Sequence, residues 1–402
     1  MSRIAFVHDW IYHLWWAEQV FFDLITSLQT NDVNHHSDEK IWPPDEHVIF
    51  TLFADHSYYM IRWVRYRVVM ALPWRISQIF LFFHTHRVWV LSRLFDYRNL
   101  MFWYRPLIML LRYRIHQFQP DEIVISSFAV VKNIVHPTKR FIWSPTISVY
   151  IHSPLMYIHN HYNHNFSKLH FPKNQLYRFA KWCLYDRDLL PRHYDHIRYN
   201  SIYTQTLCQS LYGRKKWDIR HPFIASLPTL IPSDSPLSPY VIFLGRLVRF
   251  SKQLEVIIWL CESMQQHLVI VGSWPDAAYL KTLTGPYTTF RWYQTGTAKY
   301  QLLADAQWLI NLTIESFGIV TVESLAMGTP ILGYREGATQ EWVDEGSGII
   351  VDDLELSTLQ WALERLVTQS RDRKSIQSKG RKRVEAIQGQ RNTSQIIKSD
   401  LL

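Results

Sequence analysis

The residues best suited to chemistry lie in "ESFGIVTVESLAMGTPILG", positions 315 to 333. Glu315 and Glu323 stand with seven residues between them, and Gly318 falls just behind the first. A carboxylate can accept paired hydrogen bonds from a vicinal diol. The run "WLINLT" reads as a strand, so Glu315 falls at the carboxyl edge of a sheet, where open α/β folds bind ligands. Gly318 opens the following helix, whose first N–H groups point outward. Two carboxylates beside such donors suit two sugars. On this reading Glu323 lies about two helical turns beyond Glu315. Taken alone, the spacing equally describes two solvated charges on a helix surface.

A second stretch, "GRLVRFSKQLEVI" at 245 to 257, supplies cations. Gly245 closes a strand, Arg246 follows, and Lys252 opens the next helix. Two cations at a helix start form a cradle for a diphosphate and can neutralise one that is leaving. An arginine and a lysine flanking a surface turn would look the same.

The elements that must position these residues alternate between strand and helix. "RIAFVHDW" reads as a buried strand, "AEQVFFDLITSLQ" as an amphipathic helix, and "DEIVISSFAVV" and "RFIWSPTISVYIHSP" as further strands. Five prolines, Pro222, Pro228, Pro232, Pro236 and Pro239, mark a linker. The alternation then restarts through "YVIFLGRL", "SKQLEVIIWLCESM", "HLVIVGSW", "TTFRWYQTG", "KYQLLADA", "PILGY" and "GIIVDD". Such alternation implies βαβ units and parallel sheets. We expect a first domain over 1–222, a second over 223–375 and a terminal helix over 376–402 that crosses back.

Bulk properties narrow the class. A chain of 402 residues exceeds one ordinary core. Its net charge of +9 favours anionic partners. Cys183, Cys208 and Cys261 are three in number and form no C-x-x-C, which fits a reducing compartment. The start, "MSRIAFVHDW", is not a signal peptide, and no uncharged run reaches the roughly 18 residues that span a bilayer. The chain has 13 glycines, the first of them Gly213. Tight turns and helix ends before that point must therefore use other residues.

Together these stretches resemble the glycosyltransferase group 4 family, retaining enzymes of the GT-B fold. The resemblance covers about 240 to 352 through "FLGRLVRFSKQLEV", "LVIVGSW", "LLADAQWLINLTIESFGIVTVESLAMGTPILG" and "EGATQEWVDEGSGIIV". It implies an α/β protein with two Rossmann-like domains facing a central cleft. It assigns Arg246 and Lys252, with Gly245, to the donor diphosphate. It gives Glu315 and the backbone of Ser316, Phe317 and Gly318 to the transferred sugar, and Glu323 to the nucleotide ribose. In the first half, "IAFVHDW" with Asp9 is similar to bacterial members that build polysaccharides, among them mannosyltransferase-like ones. "YIHSPLMY" is similar to their "HSP" segment and places His152 near the reacting sugar. Where those members carry Gly-Gly before Ala-Glu, this chain has Trp15 and Trp16, which either become candidate substrate contacts that stack on an acceptor or obstruct the diphosphate's approach to the helix N-terminus. Met156 stands where an arginine often follows "HSP".

Two further stretches call for a reading. Residues 58–118 carry ten arginines, one acid and sixteen aromatics. This composition reads as a basic, aromatic helical insertion. It suits an anionic membrane surface, or equally an insertion with aromatics in the core and arginines in water; nucleic acid is set aside for want of a binding motif. The run His159, His161 and His164 has no cysteine or carboxylate at ligand spacing and reads as surface histidines.

The expected activity is retaining transfer of a sugar, mannose or a related one, from a nucleotide-diphospho-sugar to a glycan or lipid-linked acceptor. No cofactor or metal is required, and the setting is the cytoplasm, peripheral at the inner membrane face. A nucleotide-sugar epimerase and a non-catalytic binding or scaffold protein are the other classes kept open.

Overall fold

The computed structural model describes residues 3–11, 16–33, 47–61, 64–71, 104–135, 141–154, 175, 194–213, 218–222, 224, 227–228, 230, 239–248, 251–273, 276–368 and 372–392. The chain divides into two compact units. One draws on Met1–Asn200, Thr204–Pro222 and Thr393–Leu402, the other on Ser201–Tyr203 and Phe223–Asn392.

The first unit runs β1 (Ile4–Ile11), α1 (Trp16–Val33), β2 (His47–Ala54), β3 (Tyr58–Ile61), β4 (Val64–Met70), α2 (Tyr104–Phe118), β5 (Glu122–Ser127), a 3₁₀ turn (Val131–Ile134), β6 (Thr146–Ile151), β7 (His196–Tyr199), α3 (Ile202–Tyr212) and β8 (Asp218–Ile219). The strands form one sheet in the order β3-β4-β2-β1-β5-β6-β7-β8. Only β3, against β4, is antiparallel. Alternate residues of β1 feed opposite cores, as the period of a strand requires. Ala5 and Val7 pack with Leu107, Leu111 and Ile115 of α2, while Phe6 packs with Phe21 and Ile25 of α1.

The second unit runs β9 (Val241–Leu244), α4 (Leu254–Ser263), β10 (Leu268–Val271), α5 (Ala277–Lys281), β11 (Thr288–Arg291), α6 (Gly296–Asp305), β12 (Trp308–Asn311), α7 (Ile319–Ala326), β13 (Ile331–Tyr334), α8 (Thr339–Trp342), β14 (Gly348–Val351), α9 (Leu356–Thr368) and α10 (Arg373–Asn392). Its parallel sheet has the order β11-β10-β9-β12-β13-β14, the arrangement of a dinucleotide-binding fold. Val241 and Phe243 face α4 and α9; Ile242 faces α6, α7 and α10. Order reverses between β9 and β12, so the loops carrying Arg246 and Glu315 flank the topological switch point.

Two expectations change here. The 58–118 segment is not wholly helical: β3 and β4 are strands that extend the sheet, and only α2 is helix among its described residues. Alternation explains it, since Ile61, Tyr66 and Val68 are buried while Tyr58, Met60, Arg65 and Arg67 are exposed. The terminal helix begins at Arg373, ahead of the expected 376, and over its described span to Asn392 packs within the second unit, where Ile376, Val384 and Ile387 join the core beneath α7; the end expected to cross back falls at 393–402. Gly380 permits this approach, because a Cβ there would fall 2.4 Å from the Leu325 carbonyl oxygen. Residues 393–402, Trp15, Met156 and the three histidines at 159–164 lie outside the described residues. No helix among the described residues is long and apolar enough to cross a membrane.

Candidate functional site

In the second unit the site is assembled at the carboxyl ends of β9, β10 and β12. Gly245 follows β9, and its N–H donates to the Val271 carbonyl at 3.1 Å. A Cβ on Gly272 would lie 2.0 Å from the Gly245 carbonyl oxygen, so position 272 must be glycine for the two loops to touch. The Leu247 N–H donates to the Ser273 carbonyl at 3.2 Å and completes the clamp. Held by it, Arg246 is exposed. Helix α4 starts only at Leu254, and Gln253 before it is left-handed at φ 53°. Lys252 therefore precedes the helix instead of opening it.

Lys252 and Glu315 are brought together. Lys252 Nζ donates to Glu315 Oε1 at 2.6 Å, with the two side chains 22% and 28% exposed. Glu315 is not on a helix. It lies in the loop after β12, and Gly318, at φ 80°, caps α7. The expected helical spacing of the two glutamates is thus replaced by a loop-to-helix turn, with Glu323 alone on α7. Packing fixes the loop backbone. Gly337, at φ 115°, lies so close that a Cβ would fall 2.9 Å from the Glu315 nitrogen, and the Ala338 N–H donates to the Glu315 carbonyl at 2.8 Å. The Phe317 ring is buried against Trp342, whose indole N–H donates to the Phe317 carbonyl at 2.7 Å. Phe317 therefore contributes backbone, not its ring, beside Ser316 and Gly318.

Glu323 is 3% exposed. Its Oε1 accepts from Lys299 Nζ at 2.7 Å and from the Tyr300 hydroxyl at 3.1 Å, both on α6. Its Oε2 is buried and has no partner among the described residues. A buried acceptor left without a donor is expensive, and a ligand hydroxyl would satisfy it. Burial first, then the neighbouring Glu323 carboxylate, raises the Tyr300 phenol and keeps it a donor. Lys299 and Tyr300 were invisible to motif reading. They sit in a helix whose sequence carries no spacing signal.

In the first unit, Asp9 and His152 lie at the carboxyl ends of β1 and β6. Asp9 is fully buried. Its Oδ2 accepts from Ser127 Oγ and the N–H groups of Phe128 and Ala129, and its Oδ1 from those of Val130 and Val131, at 2.6 to 3.1 Å. These five bonds point inward, so Asp9 organises the loop after β5 and offers no face to a substrate. His152 is 9% exposed. Its Nε2 lies 2.8 Å from Ser126 Oγ, and its carbonyl accepts from Asn200 Nδ2 at 2.9 Å. Burial holds the imidazoles of His8 and His152 near a pKa of about 3, so both are neutral at pH 7. Trp16 heads α1. His8 and Ser126 are participants the motifs gave no reason to single out, since they meet only through the sheet.

Comparison with known proteins follows this geometry. Residues 233–383 match the family described as "Glycosyl transferases group 1". The match is to group 1 as a whole and does not reach the group 4 or mannosyltransferase-like level. No curated protein matches the sequence. Among solved structures, Anabaena HepE in complex with UDP and glucose aligns at TM-score 0.60 and 17% identity, over 98% of this chain and 99% of that one. Sucrose-phosphate synthase from Thermosynechococcus elongatus aligns at TM-score 0.64 and 14% identity, over 100% and 99%. The lipopolysaccharide outer core galactosyltransferase WaaB, in its apo form, aligns at TM-score 0.61 and 13% identity, over 99% of each chain. Two parallel-sheet units and these alignments over full length give the chain the GT-B fold, and residues 233–383 are similar to the glycosyltransferase group 1 family.

Proposed function

We propose that the protein is a retaining glycosyltransferase of group 4 type that moves a sugar from a nucleotide-diphospho-sugar to a glycan or lipid-linked acceptor. The observation that carries the reading is Glu323. Its carboxylate is held by Lys299 and Tyr300 through one oxygen, while the other is a buried acceptor without a donor among the described residues. A ribose diol supplies the missing donor. Arg246 and Lys252 take the diphosphate. Glu315 and the backbone of Ser316, Phe317 and Gly318 take the hydroxyls of the transferred sugar. Lys252 bonded to Glu315 links the two subsites, so the cation that stabilises the leaving diphosphate also orients the carboxylate gripping the sugar.

His152 attends the reacting sugar, and Trp15 and Trp16 belong to the acceptor side. Neutral His152 and the absence of a nucleophilic carboxylate from the matched motifs favour attack on the face the diphosphate leaves, with that diphosphate taking the acceptor proton. No metal is needed on this route. Mannose or a related sugar is the first donor to test. UDP is the first nucleotide, because HepE, of the same fold, is described with UDP and with UDP-glucose bound. Exposed Tyr58, Met60, Arg65 and Arg67 on β3 and β4, with Met109 and Tyr113 on α2, supply the aromatic and basic surface for an anionic membrane.

Calorimetric titration against a panel of nucleoside diphosphates tests the site. Binding that Glu323→Gln weakens and Lys252→Ala abolishes is expected. Lys252→Ala should also lower transfer on the order of a hundredfold, the effect of one charged contact to a developing oxyanion of about 3 kcal/mol. Transfer at the wild-type rate by Lys252→Ala would refute the diphosphate assignment.

A further inference from the structure

Ser126 lies between two buried histidines and contacts each with a different group. In the sheet it pairs with His8 on β1 and with Tyr150 on β6, two residues before His152. Its carbonyl oxygen lies 2.9 Å from His8 Nδ1. A carbonyl only accepts, so His8 carries its proton on Nδ1 and donates. His8 Nε2 is then a bare lone pair, buried and without a partner, with the ring stacked on Phe21 at 4.5 Å.

The other contact can be decided too. Ser126 Oγ lies 2.8 Å from His152 Nε2, and Ser126 is fully buried. Two arrangements are open. In one, His152 Nε2–H donates to the hydroxyl oxygen, and the serine O–H must find another acceptor. In the other, the serine O–H donates to a bare Nε2. The first leaves a buried hydroxyl proton unbonded, which is the dearer fault. The second satisfies it. The Tyr150 ring lies edge-on to His152 with centroids 4.9 Å apart, and the His8 ring edge-on at 6.3 Å, its Nε2 accepting nothing among the described residues.

We propose that Ser126 is a positioning residue that fixes His152 as the Nδ1–H tautomer, so that His152 meets substrate as a hydrogen-bond donor and not as a general base. The backbone supports the same end. The His152 carbonyl is held by Asn200 and, at 3.4 Å, by the Thr204 hydroxyl, which fixes the main chain from which the ring extends. A donor at this position stabilises a sugar hydroxyl or developing negative charge. Removal of the acceptor's proton then falls to another group, in keeping with the leaving diphosphate in the proposed function. The consequence for catalysis rests on that reading; the tautomer does not.

The test uses the full-length protein labelled with ¹⁵N. Long-range ¹H–¹⁵N correlation spectra distinguish a protonated ring nitrogen from a bare one, and the signals lost in His152→Gln assign the ring. The expected wild-type spectrum has the proton on Nδ1. Ser126→Ala should populate both tautomers, and Ser126→Thr, which keeps the hydroxyl, should restore the wild-type pattern. With an active donor and acceptor, Ser126→Ala should lower kcat about tenfold, the weight of one hydrogen bond, and leave the donor KM unchanged. A wild-type His152 protonated on Nε2, or an unaltered tautomer in Ser126→Ala, overturns the proposal. Should Ser126→Ala fail to fold, the wild-type and Ser126→Thr spectra still decide it. A wild-type protein that transfers no sugar under any donor counts against the transferase reading, and the spectra judge the tautomer independently.

Discussion

Both units order a loop at the carboxyl edge of a parallel sheet beside a switch point, and they do so by opposite means. The first unit has no glycine before Gly213. It gathers the backbone N–H groups of Phe128, Ala129, Val130 and Val131 around one buried carboxylate, Asp9. Where it needs a left-handed residue it uses Gln119 and Ser144, at φ 48° and 51°. The second unit brings backbone against backbone. Gly272 meets Gly245, Gly337 meets Glu315, and Gly380 meets Leu325, each at a distance a side chain would forbid. A loop built around a charge turns its N–H groups inward. A loop built around glycine leaves them and the neighbouring side chains turned outward. The difference explains why the residues proposed to bind the donor's diphosphate and ribose lie in the second unit.

The comparison breaks most readily at Asp9. Asp9→Ala leaves four backbone N–H groups and the Ser127 hydroxyl without their acceptor. A loss of roughly 4 kcal/mol is expected, since unmet buried donors cost about 1–3 kcal/mol each and some will recruit water. Hydrogen exchange at Phe128–Val131 should rise while that of α7 is unchanged. Protection unchanged at these four amides would show that the carboxylate is not what orders the loop.

Acid should act on the first unit before the second. His8 and His152 have folded pKa values near 3, below the ordinary 6.5. Their unfolded forms bind protons first, so stability is fully present above about pH 6.5 and declines as pH falls toward 3. His221, lowered by burial, acts in the same direction, while Glu122, raised by burial, acts in the opposite one. One pH unit below the unfolded pKa, each of the two deeply shifted histidines removes about 1.4 kcal/mol. Denaturation followed by hydrogen exchange at pH 7.5 and 5.5 should show β1, β5 and β6 weakening ahead of β9 and β12. A uniform loss across both sheets would contradict this.

Glycine sharpens the contrast within the second unit. Gly272→Ala places a Cβ onto the Gly245 carbonyl and should lower stability by about 2 kcal/mol, the usual range for overpacking, with weaker nucleotide binding. Gly389→Ala meets nothing within 4 Å on the helix α10. It should stabilise by up to about 1 kcal/mol through helix propensity. Thermal melts of the two variants should move in opposite directions.

The sequence carried much of this second unit because its signals are local. Gly245, Arg246, Lys252, Glu315 and Gly318 each fall near a strand end or helix start that periodicity marks, and Glu323 follows one turn into α7. The Lys252–Glu315 contact was within reach, since both residues border the same switch point. The Lys299–Glu323 pair was not, because nothing in "TAKYQLL" announces a partly buried lysine. The first unit was less legible. Asp9 becomes a candidate only through the resemblance of "IAFVHDW" to the family's start, and only the positions of residues more than a hundred further along the chain reveal its inward role. Ser126 reads as an ordinary strand residue for the same reason. In residues 58–70 the arginines and aromatics suggested a helix, whereas the burial alternation shows a strand pair at a sheet edge, where one face stays wet.

Helix α10 has a use beyond covering the core. Proline supplies no N–H, so a proline-rich connector has carbonyl groups to satisfy and few donors of its own. Three side chains of α10 supply them: Gln388 donates to the Ile224 carbonyl, Arg381 to that of Pro228 and Gln377 to that of Leu230. The connector is thereby strapped along the helix from Ile224 onward, well ahead of the first strand at Val241. The boundary of an autonomous second unit is set by this strap and not by the sheet. A fragment begun at Pro239 would keep every strand yet expose three strong donors, whereas one running from Phe223 to Asn392 would keep them matched.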